Sequence, residues 1–214
     1  MPFSCDRTGF PLVWVEEAGL EVHLLPVTKV QFERFMADCN TEFGDRWYDE
    51  VLALDPKVAR VSHRFFTEEN REGLFLTGIL PEEALSFARW MGGGYDIPTV
   101  EEWRTIYAAL GRKAITGLSF ASLRRQPGTQ TAGLLLERLA AQLRPRLPLD
   151  LLLLRGGVVE WVRDGKRWTG LGLPRQEFFP VLREPLAETI DPILPLERRT
   201  CCFFGLRLVR RPER

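Results

Sequence analysis

Three short segments occur in a fixed order along the chain: Ile97-Pro98-Thr99-Val100-Glu101-Glu102-Trp103, Gly156-Gly157-Val158-Val159-Glu160-Trp161 and Phe204-Gly205-Leu206-Arg207-Leu208-Val209. Each is weak alone; their order and spacing constrain the fold more than any other feature. The first reads as a helix start. Thr99 and Glu102 have capping-box spacing, and Trp103, Ile106, Tyr107 and Leu110 follow at the i, i+3, i+4, i+7 repeat of one apolar stripe. The other two read as strands, over 158–162 and 203–209. Trp90, Trp103 and Trp161 each combine a large apolar body with one N–H donor, which suits anchoring helices on a small sheet. Glu160 is expected to pair with a buried donor. Arg207, alternating with Leu206 and Leu208, is expected to form a structural salt bridge.

Two further helices have the same periodicity. Phe32, Phe35, Met36 and Cys39 make one stripe, opened by a Thr28/Gln31 capping box. Ala84, Phe87, Ala88 and Met91 make the other, with Pro81 in its first turn and Gly92-Gly93-Gly94 ending it. Leu136, Leu139, Ala140 and Leu143 suggest a fourth helix, inserted in a longer connection before Pro145. The remaining strand candidates are 12–15, 20–25, where His23 reads as a half-exposed structural residue, and 151–154. Five prolines between Gly165 and Thr200 (174, 180, 185, 192 and 195) predict little regular structure there. Helices early and short strands towards both ends give an α+β class, not alternating βαβ units.

At 214 residues the chain suits one domain spanning 1–214. Lys+Arg and Asp+Glu are both 29, so no global field recruits nucleic acid or an anionic membrane. Arg198, Arg199, Arg207, Arg210, Arg211 and Arg214 make the end locally basic, which reads as a solvated tail. Cys5 and Cys39 fit no metal-ligand spacing, and adjacent Cys201 and Cys202 bridge each other only through a strained ring. A reducing, cytoplasmic setting fits this cysteine usage, and neither a signal peptide nor a membrane span is expected.

With these motifs the sequence resembles the formylglycine-generating enzyme (sulfatase-modifying factor) family, whose fold is C-type-lectin-like. Pro26-Val27-Thr28-Lys29-Val30-Gln31-Phe32-Glu33-Arg34-Phe35 is similar to the family's opening helix. Residues 81–92, with Ala84, Phe87, Trp90 and Gly92, are similar to its next helix. The segment from Ile97 to Trp103, with Ala108-Ala109, resembles its most specific signature, and Gly156 to Trp161 with Asp164 resembles its G-N-V-W-E-W-x-x-D. Gly205-Leu206-Arg207-Leu208-Val209 resembles its terminal G-F-R-L-V. The matches span about residues 20 to 210. They imply short twisted antiparallel strands, two to four helices and much irregular structure.

The resemblance also implies chemistry that the residues do not supply. The family's oxidases use two cysteines upstream of the terminal G-F-R, with copper. Cys201 and Cys202 stand too late and too close together, and neighbours on a strand point to opposite faces. Related iron enzymes use a histidine-rich site, whereas only His23 and His63 are present, far apart. Gly157 replaces the calcium-binding asparagine of G-N-V and removes its side-chain oxygen. No Ser/His/Asp set, P-loop or G-x-G-x-x-G occurs. No catalytic residue, metal site or cofactor is assigned.

A second branch of this fold binds ligands, including variable proteins diversified by retroelements. There the exposed positions precede the terminal strand. The family's R-G-G-S-W is reduced here to something like Gly170-Leu171-Gly172. Chemically mixed runs follow it. The expected binding region is therefore about 165–204, with Trp168, Leu171, Arg175, Gln176, Glu177, Phe178, Glu188, Thr189, Asp191, Arg198, Arg199, Cys201, Cys202 and Phe203 as contacts for a protein or other macromolecular ligand. Such a face works by rigid aromatic and Arg anchors among adaptable polar groups. The alternatives are a formylglycine-generating or related metal-dependent oxidoreductase and a structural assembly subunit.

Overall fold

The computed structural model describes residues 3–39, 76, 78–110, 128, 133, 159–171, 188–190 and 204–212. In chain order the described elements are β1 (Phe3–Cys5), β2 (Pro11–Val15), β3 (Leu20–His23), α1 (Lys29–Cys39), α2 (Pro81–Met91), β4 (Tyr95–Asp96) and α3 (Val100–Leu110). Then come β5 (Val159–Asp164), β6 (Arg167–Leu171), β7 (Glu188–Ile190), β8 (Phe204–Gly205) and β9 (Val209–Arg210). The strands form a five-stranded sheet, β1-β2-β3-β9-β4, and a four-stranded sheet, β7-β6-β5-β8. Only the β5–β8 pairing among them is parallel. This is the α+β, C-type-lectin-like fold expected from the motifs. The expected helix at 136–143 and strand at 151–154 lie outside the described residues.

The three helices described above start where the side-chain spacing predicts. At α1, Thr28 N–H donates to Gln31 Oε1 (3.0 Å) and Gln31 N–H to Thr28 Oγ1 (3.3 Å). At α3, Thr99 N–H donates to Glu102 Oε2 (2.7 Å) and Glu102 N–H to Thr99 Oγ1 (3.1 Å). These reciprocal bonds satisfy N–H groups that the first helical turn leaves without partners. In α2, Pro81 occupies the first turn, the Glu83 carboxylate accepts from Leu80 N–H (2.8 Å), and Gly92 ends the helix at a φ of 110°. The stripes face inward: Phe32, Phe35, Met36, Ala84, Phe87, Ala88 and Met91 are buried in one core. Cys39 departs from this expectation, being exposed at the end of α1 where the stripe runs out.

The terminal motif is not one strand. β8 pairs with β5 in the smaller sheet, and β9 pairs with β3 and β4 in the larger one. Leu206, Arg207 and Leu208 cross between the sheets, and all three are buried. Their backbone is tied on the way, Val27 N–H donating to Leu206 O (2.8 Å) and His23 N–H to Leu208 O (3.0 Å). The alternation Leu-Arg-Leu therefore does not send Arg207 to solvent. A crossing strand has protein on every side.

Candidate functional site

Where the two sheets meet, a buried polar network forms around Glu160. Trp103 Nε1 donates to its Oε2 (2.7 Å) and Tyr107 OH to its Oε1 (3.1 Å), both from α3. Arg207 donates from Nε to both oxygens (3.1 Å each) and from Nη2 to Oε1 (2.8 Å). Its Nη1 reaches the carbonyls of His23 (2.7 Å) and Leu24 (2.8 Å) at the end of β3. Arg207 is 0% exposed and Glu160 2%. Burial pushes the Tyr107 hydroxyl far up, and the Glu160 carboxylate pushes it further, so the phenol stays a neutral donor. The Glu160 carboxylate and the Arg207 guanidinium are thus bonded to each other, to Trp103 and Tyr107, and to two backbone carbonyls.

A second buried cluster lies under the turn between β1 and β2. Asp6 Oδ1 accepts from Thr8 N–H (2.7 Å), Thr8 Oγ1 (2.6 Å) and Phe10 N–H (3.0 Å), and Oδ2 accepts from Gln31 Nε2 (3.0 Å). His23 Nε2 stands 3.1 Å from Asp6 Oδ2 but without the alignment of a directed hydrogen bond. His23 is thus buried, not half-exposed, because its side of β3 is covered by this turn. Burial by itself pushes the Asp6 carboxyl up, but His23 and the Thr8 and Phe10 donors outweigh that and hold it below the usual carboxylate range.

The C-terminal arginines also differ from the expected solvated tail. Arg207 is internal, Arg210 pairs with Glu21 of β3, and Arg211 pairs with Asp96 of β4 and Glu102 of α3, each at 2.9 Å. The strand pairing of β9 carries them past those carboxylates. Arg198, Arg199 and Arg214 lie outside the described residues.

The expected binding region begins on the β5–β6 hairpin. Five cross-strand pairs, from Glu160–Leu171 to Asp164–Arg167, leave only Gly165 and Lys166 in the turn. Gly165 has a φ of 59°, a conformation that costs glycine little. Trp161, Arg163, Trp168 and Gly170 share one face, and Glu160, Val162, Asp164, Thr169 and Leu171 the other. Trp168 is half-buried, packed on the core beside its partner Arg163, whose guanidinium carbon is 5.6 Å from the indole centroid. Leu171 is a correction. It is fully buried, because β6 remains a core strand to its last residue and the Leu171 side chain faces inward beside Glu160.

Glu188 and Thr189 are on β7, which pairs with the Gly170–Leu171 end of β6. Arg175, Gln176, Glu177, Phe178, Asp191, Arg198, Arg199, Cys201, Cys202 and Phe203 lie outside the described residues. Arg163, which the sequence reading does not single out, stands opposite Trp168 across the hairpin. Its signal was the Asp164-Gly165-Lys166-Arg167 stretch, a two-residue turn that sets Arg163 opposite Trp168.

Residues 6–183, most of the chain, match the sulfatase-modifying factor enzyme 1-like domain. The chain belongs to that family. The family match covers α1 to α3 and the β5–β6 hairpin, the elements that build both sides of the Glu160 network except Arg207. The chain is also similar to the serine/threonine-protein kinase pkn1 of Chlamydia pneumoniae, 28% identical over 152 residues. That stretch is 71% of this chain and 23% of the kinase, so the chain spans about a quarter of that relative's length. No solved structure matches it with significance. Among the described residues no three His, Cys, Asp or Glu side chains converge as a metal-binding set, and no helix is long and apolar enough to cross a membrane.

Proposed function

We propose that this family member is a non-catalytic binding module, presenting ligand contacts from the region 165–204 on a C-type-lectin-like scaffold. The observation that carries this reading is the Glu160 network. The motif residues that bear chemistry, Trp103, Glu160 and Arg207, are spent on one another and on backbone carbonyls. The network fixes β5, and the tight hairpin then fixes the start of the proposed face. Such preorganisation lowers the entropy lost on binding. Similarity to 23% of a protein named as a kinase also suits a module that works within or beside larger proteins.

A finer reading is that the face is diversified by a retroelement. A neighbouring reverse transcriptase gene and a near-copy of the 3′ coding sequence, differing at adenines, would carry it; absence of both sinks it. The oxidase alternative is tested separately. A formylglycine-type oxidase binds copper tightly in titration and loses turnover on Cys201→Ser or Cys202→Ser, whereas a binding module keeps its fold and changes only in partner affinity. The assembly-subunit alternative needs an apolar patch; among the described residues Trp14, 39% exposed, is the most exposed large hydrophobic.

A further inference from the structure

The turn between β1 and β2, residues 6–10, is closed by two backbone bonds, from Asp6 N–H to Phe10 O (2.8 Å) and from Gly9 N–H to Asp6 O (3.0 Å). Beneath it the side chains of Asp6 and His23 meet, 0% and 2% exposed. Among the described residues no Lys or Arg pairs with the Asp6 carboxylate, and the side chain that does is His23. The other titratable groups around the pair are neutral or already engaged. Burial, and then Asp6 itself, pushes the Cys5 thiol of β1 up. Tyr95 of β4 has its ring 5.9 Å from the imidazole, and burial pushes its hydroxyl up to about 12. Arg210 of β9 pairs with Glu21 of β3, and Arg207, whose Nη1 holds the His23 carbonyl, pairs with Glu160. Arg34 of α1 donates to Thr8 O (3.2 Å), and Arg7 pairs with Asp38 (3.8 Å).

An imidazole changes charge within the physiological range. His23 Nε2 is buried, stands 3.1 Å from Asp6 Oδ2 and has no directed hydrogen bond among the described residues. In a neutral ring one nitrogen carries only a lone pair, and at Nε2 that lone pair would face a carboxylate. Even with the hydrogen on Nε2, a neutral ring leaves the Asp6 charge buried without a counter-charge. We propose that His23 is a proton-operated latch on the β1–β2 turn: the imidazolium holds Asp6 and the turn against β3, and loss of its proton as pH rises releases them. Arg7 follows Asp6 directly and carries the effect outward. Its Nη1 donates to Trp90 O (2.6 Å), and its guanidinium carbon lies 4.4 Å from the Trp90 ring centroid. Trp90 Nε1 in turn donates to Asp38 Oδ2 (3.1 Å). Release of the turn therefore loosens a clamp that joins the end of α1 to α2. The sign is opposite to that of Asp6: the contact is whole while the imidazole is charged and is lost as pH rises. The latch is independent of the binding-module reading.

The experiment follows the isotope-labelled full chain by NMR from about pH 5 to about pH 9, which brackets an ordinary imidazole. The His23 ring should titrate, and the Trp90 indole N–H should move with the same midpoint. Above that midpoint the amides of residues 7–9 should exchange hydrogen about tenfold faster, after correction for the intrinsic rise with pH. Asp6→Asn should lower the His23 midpoint by about one pH unit, the effect of removing a close opposite charge. In His23→Gln, which keeps a donor but cannot titrate, the turn and the Trp90 signal should ignore pH. If that variant does not fold, the two midpoints in the native chain still decide, because a merely structural His23 leaves the Trp90 signal unmoved. A ring whose charge does not change across the range overturns the proposal. So does a Trp90 signal that ignores His23, or a pH response that survives in His23→Gln.

Discussion

Arg207 grips Glu160 with Nε and Nη2, at 2.8 to 3.1 Å, while its Nη1 holds two carbonyls of the other sheet. One guanidinium therefore spans the point where the chain passes from the four-stranded to the five-stranded sheet. Glu160→Ala would leave that guanidinium charged and buried, which costs about 3–5 kcal/mol when a buried pair loses one member. Urea unfolding should show the loss, and Arg207→Met added to it should recover part. Arg207→Lys should fail to substitute, since an ammonium cannot reach Glu160 and both carbonyls with a fixed fork. A loss below about 1 kcal/mol for Glu160→Ala, the size seen for exposed pairs, would show the site to be wet.

Gly170 lies opposite Trp161 in β6, under the ring of Phe204. A Cβ at Gly170 would fall into that ring and against Val159 Cγ1, so the substituent has nowhere to go without moving β8. Gly170→Ala is expected to destabilise by about 1–3 kcal/mol, the usual cost of overpacking. Gly19 makes the contrast. It has a φ of 63° and open space around it, so Gly19→Ala carries only the backbone cost of the left-handed conformation, about 1–2 kcal/mol. Chemical denaturation of the two variants separates crowding from conformational strain.

What the sequence made legible follows the range of each interaction. Thr28 with Gln31 and Thr99 with Glu102 lie three residues apart, and both boxes form as their spacing predicts. Glu160 and Arg207 could each be expected to find a buried partner, because a charge among apolar neighbours needs one. Sequence alone did not say that they find each other. The break in 203–209 was hidden for a related reason: an alternating pattern shows which residues turn inward but not that the strand changes sheets halfway. His23 looked half-exposed because β3 alternates; the turn that covers it comes from Asp6 and Thr8, earlier in the chain. Leu171 was misplaced by treating 165–204 as one irregular surface, although its first seven residues complete a core hairpin.

The Asp6 carboxyl is held below its ordinary range in the folded protein, so its linkage has a definite sign. The contribution to stability is complete above the unfolded value, about 3.9, and is lost as pH falls through the folded value. Stability followed by urea midpoint should therefore drop on acidification below about pH 4 more steeply in the native chain than in Asp6→Asn. At neutral pH Asp6→Asn should itself cost roughly 1–3 kcal/mol, because its amide would face the donors of Gln31 and leave one unsatisfied. An unchanged acid limb in the variant would assign that limb to other carboxylates.

Gln31 gives the sharpest substitution test, because two requirements meet in one side chain. Its Oε1 accepts from Thr28 N–H and Thr28 Oγ1 at 3.0 and 3.1 Å, as a capping box requires, and a glutamate would do this equally well. Its Nε2 donates to Asp6 Oδ2 and Thr8 Oγ1, each at 3.0 Å, which a glutamate cannot do. Gln31→Glu would set a second carboxylate beside buried Asp6, and like charges so placed raise at least one pKa strongly. The variant is expected to lose roughly 3 kcal/mol or more at neutral pH, as for an uncompensated buried charge. It should regain part of that under mild acid, as the new carboxyl takes a proton and can donate to Asp6. Thermal unfolding across that pH range checks both halves. If Gln31→Glu is neutral, α1 needs only its cap and the link from Gln31 to the Asp6 turn contributes nothing.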